Sequence, residues 1–344
     1  MNCIAIDVRG LIHHEPTGVG TYTHLLVEKY LNQADDVVLW YSGWQRVEWI
    51  HTRWGSRATV LHIRMPNKLL NALLIFFKIP KLDKYIAKKI DKPINVMIAP
   101  NMNVYALSPD ITFVLTIHDL AFILFPWYYS WKGKLWHRFI YIQRLARRAS
   151  NIVVPSQSTA WDVEDWLYID SSNIQITAPT LPAMYQHSTH WNTARQHSVM
   201  EAYQLPSRYF LYLGTIEPRK NIETLLAAYN ECKKTYAGIV LVIAGPRGWK
   251  CRKLMKDILS TSGVQYLGYV DDADKPALYA GAIAFVYPSF YEGYGFPVLE
   301  AQAVGTRVIT SNRSSLLEVA DERAILIDPY NVTDLAQAMM ECCR

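Results

Sequence analysis

Two acids, Glu292 and Glu300, stand with seven residues between them around a turn that holds Gly293, Gly295 and Pro297. The turn follows an apolar run, Ala282 to Tyr287, that reads as a buried strand. Pro297 then opens a helix through Glu300 and Ala303, since proline suits a first helical turn where its missing N–H costs little. The backbone N–H groups of Val298 and Leu299 are expected to be unpaired donors at the positive end of that helix, which is an anion site. The two glycines clear side chains from the approach. A carboxylate beside a phosphate repels it, so Glu292 and Glu300 are expected to accept hydrogen bonds from hydroxyls, such as those of sugars and ribose. A plain strand–loop–helix with two solvated glutamates fits the same residues.

A second charged pair, Arg219 and Lys220, follows the strand Tyr209–Gly214 and precedes a helix with Ile222, Leu225, Leu226 and Tyr229 on one side. Asn221 reads as its N-cap and Glu223 suits its first turn. Cations there oppose the helix dipole, so a purely structural role is disfavoured. A bound diphosphate would reverse the sign of the problem. Near the start of the chain, Gly18-Val19-Gly20 closes a loop between a strand (Ile4–Val8) and a helix from about Thr21 to Leu31. Such a glycine pair can hold a phosphate or simply make a tight turn. The third glycine of a dinucleotide fingerprint is absent at Thr23, and the next strand ends in Tyr41-Ser42 rather than in an acid for ribose, which disfavours a nicotinamide oxidoreductase. His118 ends the strand Thr112–Ile117, where a doubly wound sheet points at its ligand, although a lone histidine also serves structure. Asp271-Asp272-Ala273-Asp274 contains an Asp-x-Asp, but it precedes a short helix, Pro276–Ala280, that its acids are expected to cap. No metal site is expected.

Strand and helix patterns alternate almost throughout, which argues for parallel sheets with helices on both faces. The 344 residues suffice for two domains. With 51% hydrophobic and 19% charged residues the chain is globular. Its five scattered cysteines, in no metal-ligand spacing, suggest reduced thiols and a cytoplasmic protein. No signal-peptide pattern opens the sequence, and no uncharged stretch reaches the ~18 residues of a membrane span. The net charge of +5 fits anionic substrates or an anionic membrane surface and implies no nucleic acid. Two stretches sharpen that point. Lys68–Lys92 is apolar with seven lysines against two aspartates, and Trp131–Arg148 reads as one helix with six Lys/Arg and no acid. Each is either an interfacial segment for anionic lipid or a helix with a solvated basic face. From Tyr185 to Ser207 apolar periodicity disappears, as in an inter-domain linker.

Three stretches together, Gly18-Val19-Gly20, Glu217-Pro218-Arg219-Lys220-Asn221 and Glu292-Gly293-Tyr294-Gly295-Phe296-Pro297-Val298-Leu299-Glu300-Ala301, resemble the retaining glycosyltransferases of family 4. The likeness runs on through TIHDLAFILFPWYY and VVPSQSTAWDV. It implies an α/β chain of GT-B fold: two Rossmann-like domains with parallel sheets facing a central cleft. An acceptor-binding domain over residues 1–185, a linker over 186–207 and a nucleotide-sugar-binding domain over 208–344 are the expected division. The resemblance also implies metal-independent transfer with retention, and no cofactor beyond a nucleoside-diphosphate sugar as co-substrate. Carried over by position, Arg219 and Lys220 would hold the diphosphate, Glu300 the ribose, and Glu292 hydroxyls of the donor sugar. Gly293, Phe296, Val298 and Leu299 would line the turn. Gly18 and Gly20 would approach the phosphates, His118 the transferred sugar, and Val270 with Lys275 the base. The GVGTYTHLL opening resembles mannosyl- and related hexosyltransferases, so the first expectation is transfer of mannose from GDP-mannose to a glycan or lipid-linked glycan. The site would then be cytoplasmic, peripheral on the inner face of the cell membrane. An inactive nucleotide-sugar-binding or scaffold protein of the same fold is the alternative. Chains of this family run on to a last helix that crosses back to the first domain, and the sequence in hand, stopping at Arg344, is expected to lack it.

Overall fold

In a computed structural model, residues 3–12, 18–33, 36–186 and 193–344 are described. The chain divides into two compact units, Met1–Leu120 with Lys132–Thr180, and Ala121–Trp131 with Leu181–Arg344. Unit 1 carries seven parallel strands: β1 Ile4–Asp7, β2 Val37–Gly43, β3 Thr59–Arg64, β4 Val96–Ala99, β5 Thr112–Thr116, β6 Asn151–Val154 and β7 Ile174–Ile176. Their order is β3-β2-β1-β4-β5-β6-β7. Unit 2 carries six: β8 Tyr209–Leu213, β9 Val240–Ala244, β10 Val264–Gly268, β11 Ala284–Tyr287, β12 Val308–Ser311 and β13 Ile325–Ile327, in the order β10-β9-β8-β11-β12-β13. Both sheets are doubly wound. The central strands of unit 2 are buried on both faces and read as continuous apolar runs, YFLYL and VLVIA, the signature of a parallel sheet covered by helices. The sequence reading assigns no strand to β3, a sheet-edge strand only partly buried, whose apolar residues are interrupted by His62 and Arg64.

Each sheet reverses its winding direction once, between β1 and β4 in unit 1 and between β8 and β11 in unit 2. Ligands of doubly wound sheets bind outside the carboxyl ends of the strands at such switch points. The segments that follow β8 and β11 are the two that contain Arg219-Lys220 and Glu292.

Several local expectations need correction. The glycine pair does not close a loop before the first helix; it forms that helix's first turn, Gly18–Gln33, while residues 13–17 of the expected loop lie outside the described ones. The stretch Trp131–Arg148 is two helices, Trp131–Ile140 and Ile142–Arg148, because Tyr141 turns left-handed at φ 50°. The Lys68–Lys92 stretch, by contrast, breaks around Pro80 as proline is expected to make it do: Asn67–Ala72 and a wider π turn, Leu73–Phe77, end at left-handed Lys78, and a second helix, Leu82–Ile90, follows the proline. Leu70 and Leu74 are core, whereas Phe76 and Phe77 are each 68% exposed. The ring of Phe76 meets that of Phe139 at 6.2 Å, so the two basic apolar stretches lie side by side.

The domain division also differs from the expected one. Ala121–Trp131, which follows β5 in sequence, packs in unit 2, where Trp249 Nε1 donates to the Tyr128 carbonyl at 2.9 Å. Unit 2 resumes at Leu181. Residues 187–192 of the expected linker lie outside the described ones, and its remainder holds the helix Thr193–Ala202, packed on the helix Lys275–Gly281.

Candidate active site

The loops after β8, β11 and β12 are tied into one body. Asn221 is left-handed at φ 57°, and its side chain does not cap the helix Ile222–Thr235. Its Nδ2 donates instead to the Pro288 carbonyl at 3.0 Å and the Pro329 carbonyl at 2.7 Å. The Phe290 N–H donates to the Arg219 carbonyl at 3.0 Å. Ser315 Oγ donates to the carbonyls of Glu292 (2.9 Å) and Tyr294 (2.8 Å), and the Glu292 N–H donates to Ser314 Oγ at 2.9 Å. Each of these bonds satisfies a buried polar group and fixes a residue of the turn.

Inside that frame sit two cations and two carboxylates. Arg219 Nη1 donates to Glu292 Oε2 at 2.8 Å and to the Tyr291 carbonyl at 2.7 Å, while its Nη2 donates to Glu217 Oε1 at 2.9 Å. Lys220 Nζ donates to Glu292 Oε1 and to the Tyr287 hydroxyl, both at 2.6 Å. Glu292 thus bridges both cations with its two oxygens. Burial pushes its carboxyl up, but Arg219 and Lys220 more than reverse this and hold it at about 2. Glu217 lies deeper, and burial raises it despite Arg219. Burial lowers the Lys220 ammonium, against the pull of Glu292. The cluster is neutral overall, and its members are nearly but not fully covered, with Arg219 and Lys220 side chains 11% and 10% exposed.

The helix after the turn runs Phe296–Val304 with Pro297 in its first turn, as the sequence implies. Its amides are not open as expected. Gly295 is left-handed at φ 111°, and its carbonyl takes the N–H of Val298 at 3.0 Å and of Leu299 at 3.4 Å. A Cβ on Gly295 would sit 2.8 Å from Leu316 Cδ2, so both conformation and space require glycine there. Glu300, one helical turn further on, accepts from the Tyr279 hydroxyl at 2.8 Å. Burial raises its carboxyl, with Lys275 pulling the other way. Lys275 also pairs with Asp272, and these neighbours raise its ammonium in spite of burial.

The remaining expected residues divide. Gly293 lies buried in the turn, and Phe296 begins the helix, half-buried. The Val270 side chain is in the core, 3% exposed, so only its main chain can meet a base. In the Asp271–Asp274 run no side chain caps the following helix; Asp274 instead accepts from the Tyr203 hydroxyl at 3.1 Å. No cluster of metal-ligating side chains occurs among the described residues. In unit 1, His118 Nε2 donates to the Pro100 carbonyl at 2.8 Å, and the Tyr22 ring packs edge-on at 4.8 Å. Burial lowers its pKa, so the ring is neutral at pH 7 with Nδ1 as acceptor. Gly20 is buried; Gly18 is exposed, and a Cβ there would meet nothing. Sequence reasoning missed Glu217 and Tyr287 as partners of the cations. Glu217 was within reach, two residues before Arg219 across a proline; Tyr287 was visible only as a phenol at the carboxyl end of β11.

Two family models match the chain: Glycosyltransferase Family 4 over residues 16–179, and Glycosyl transferases group 1 over residues 199–343. The O-antigen chain mannosyltransferase B of Escherichia coli is 42% identical over 151 residues, covering 42% of this chain and 39% of that protein. The serotype-specific mannosyltransferase WbdA of Escherichia coli is 32% identical over 210 residues, covering 59% of this chain and 26% of that protein. The matches therefore span well under half the length of these curated relatives. Among solved structures, Anabaena HepE in complex with UDP and glucose superposes with a TM-score of 0.73 at 14% identity, covering 100% of this chain and 90% of that one.

Proposed function

The chain belongs to the family 4 glycosyltransferases and has their GT-B fold, and from that premise we propose that it transfers a hexose, mannose from GDP-mannose first, to a glycan or lipid-linked glycan acceptor with retention and without a metal. The observation that carries this reading is the pair of nearly buried cations, Arg219 and Lys220, at the switch point of unit 2. A nucleoside diphosphate brings more negative charge to these cations than the single carboxylate of Glu292. Both cations then contact the diphosphate while the tied loops keep their positions. Glu292, ionised at any physiological pH, is a pure acceptor and takes hydroxyls of the donor sugar. Glu300 takes the ribose hydroxyls. Val270 and Lys275 border the base, and the turn residues Gly293, Phe296, Val298 and Leu299 shape the seat. In unit 1 taken by itself, the neutral His118 offers Nδ1 to a sugar hydroxyl, and Gly18 leaves the start of its helix clear of side chains.

The chemistry follows from charge. The bond from the sugar's anomeric carbon to the β-phosphate oxygen breaks, and its electron pair stays on the phosphate. The acceptor oxygen bonds to the same carbon, and its proton passes to the departing phosphate. Negative charge grows on the leaving group, so fixed cations stabilise the transition state more than the ground state. Two names support the donor class: the relatives are mannosyltransferases, and the HepE structure holds UDP and glucose.

The same proposal includes a peripheral position on an anionic membrane, on the cytoplasmic face. Among the described residues no helix is long and apolar enough to cross a membrane. The exposed rings of Phe76 and Phe77 stand beside exposed Lys78, Lys81, Lys84 and Lys88, a pattern suited to an interface. The test of the transfer reading is turnover of GDP-mannose and UDP-sugars by the purified protein and its Lys220→Ala variant. The variant is expected to lose on the order of 2.7–4 kcal/mol of transition-state stabilisation, in kcat rather than KM. Wild-type protein that binds nucleotide but neither transfers nor hydrolyses the donor would make this an inactive binder.

A further inference from the structure

Unit 1 has a cavity of its own at its switch point, beside the carboxyl ends of β1 and β4. Its volume is about 140 Å³, roughly ten times what a single water requires. The floor is a buried ion pair: Arg9 Nε and Nη2 donate to Asp7, the latter at 2.7 Å, and the Tyr105 hydroxyl donates to Asp7 Oδ2 at 2.5 Å. Arg9 is held between Trp40, 4.7 Å from the ring centroid, and Tyr105, at 5.3 Å. Its last nitrogen, Nη1, donates to Asn71 Oδ1 at 3.3 Å. The guanidinium is therefore spent inside the protein, and the floor presents no net charge.

Four asparagines line the cavity, and in each the side-chain oxygen is already taken. Asn71 accepts from Arg9, and Asn67 from Ser42 Oγ. Asn101 accepts from the Met102 N–H at 2.7 Å and Asn103 from the Val104 N–H at 2.8 Å. What each leaves to the cavity is its Nδ2, a donor with no protein acceptor among the described residues. Trp136 lines the same cavity and is itself 36% exposed.

We propose that this cavity is a binding site for an uncharged sugar ring, with the four amide groups donating to its oxygens and Trp136 covering its C–H face. Neutral amide donors recognise hydroxyl and ring oxygens without requiring charge, and an aromatic face covers apolar C–H surface. Among the described lining residues a phosphate or carboxylate would find no free cation, and it would approach the buried Asp7. Asn67 and Asn71 lie on the helix whose continuation carries Phe76, and Trp136 lies on the helix that carries Phe139. As the acceptor's seat the site rests on the transfer reading; as a sugar site it does not.

The probe is methyl α-mannopyranoside, followed by saturation-transfer NMR on the full chain, with mannose 6-phosphate as the charged counterpart. Trp136→Ala removes the apolar face, and Asn103→Asp keeps the Val104 bond while replacing a donor by a carboxylate oxygen. Each is expected to weaken the mannoside roughly tenfold, the effect of one lost contact, with GDP binding unchanged. Circular dichroism and the GDP response report whether the variants fold. Absence of mannoside binding to the wild type, equal binding by both folded variants, or preference for the phosphorylated sugar would each overturn the proposal. Failure of GDP to bind while the mannoside binds would overturn the transfer reading and leave this site standing.

Discussion

Changing Glu292 to Gln removes one charge and almost no volume, and its consequences can be worked from the cluster. In the wild type the carboxyl is held from the ordinary 4.5 down to about 2 by Arg219 and Lys220, against burial. At 1.36 kcal/mol per unit, the ionised form contributes about 3 kcal/mol of stability at pH 7. The amide keeps one acceptor oxygen but removes a charge that both desolvated cations face, which leaves Glu217 as the carboxylate paired with Arg219. Burial already lowers the Lys220 ammonium, so loss of its proton limits the damage, and about 3 kcal/mol is an upper bound. Because the folded-state pKa is depressed, this stability is complete above the unfolded value near 4.5 and is lost as pH falls through about 2. The wild type should therefore show an acid limb of about 1.4 kcal/mol per pH unit between those values that the variant lacks. Hydrogen exchange at β8 and β11 amides reads unit 2 by itself; protection there should fall by up to about two decades at pH 7. A loss below about 1 kcal/mol, or an unchanged acid limb, would refute the claim that Glu292 holds the two cations by charge. Nucleotide binding should survive the change, since Arg219 and Lys220, the proposed diphosphate ligands, remain, while sugar transfer falls.

Glu300→Gln should act the other way, weakening nucleoside diphosphate binding roughly ten- to hundredfold by loss of a charged hydrogen bond to ribose; isothermal titration with GDP and UDP measures it. Because burial raises the Glu300 carboxyl, wild-type nucleotide affinity should fall with decreasing pH at values above the ordinary 4.5, and the variant should show no such fall. Gly295→Ala should destabilise unit 2 by about 1–3 kcal/mol, from its φ of 111° and the clash with Leu316, read as a lower midpoint in urea. Sedimentation with phosphatidylglycerol vesicles should show salt-sensitive binding, at about 1 kcal/mol per lysine, that the change of Lys78, Lys81, Lys84 and Lys88 to Gln abolishes; binding indifferent to those four would leave the segment as a solvated face.

What the sequence made legible is what local physics decides. Gly295 and Pro297 punctuate the chain wherever they occur, so the strand–turn–helix around Glu292 could be read without its neighbours. The double winding of both sheets followed from apolar runs alternating with helical spacing. The misreadings share a different cause. Asn221 has the composition of an N-cap, and nothing nearby in sequence says that Pro288 and Pro329 will claim its amide. The Val298 and Leu299 amides look open until the left-handed Gly295 turns its carbonyl toward them. Glu292 was read from its hydroxyl chemistry alone, because its ion pairs lie seventy-odd residues away in sequence. The amide-lined cavity of unit 1 is the extreme case. Asn67 and Asn71 share a helical face, but Asn101 and Asn103 come from another loop, and Arg9 from a third. Spacing cannot reveal four side chains whose common property, an oxygen already engaged, exists only after folding. Local rules therefore find the residues that one turn carries and miss what several loops assemble around them, and both switch points of this chain are assembled in that second way.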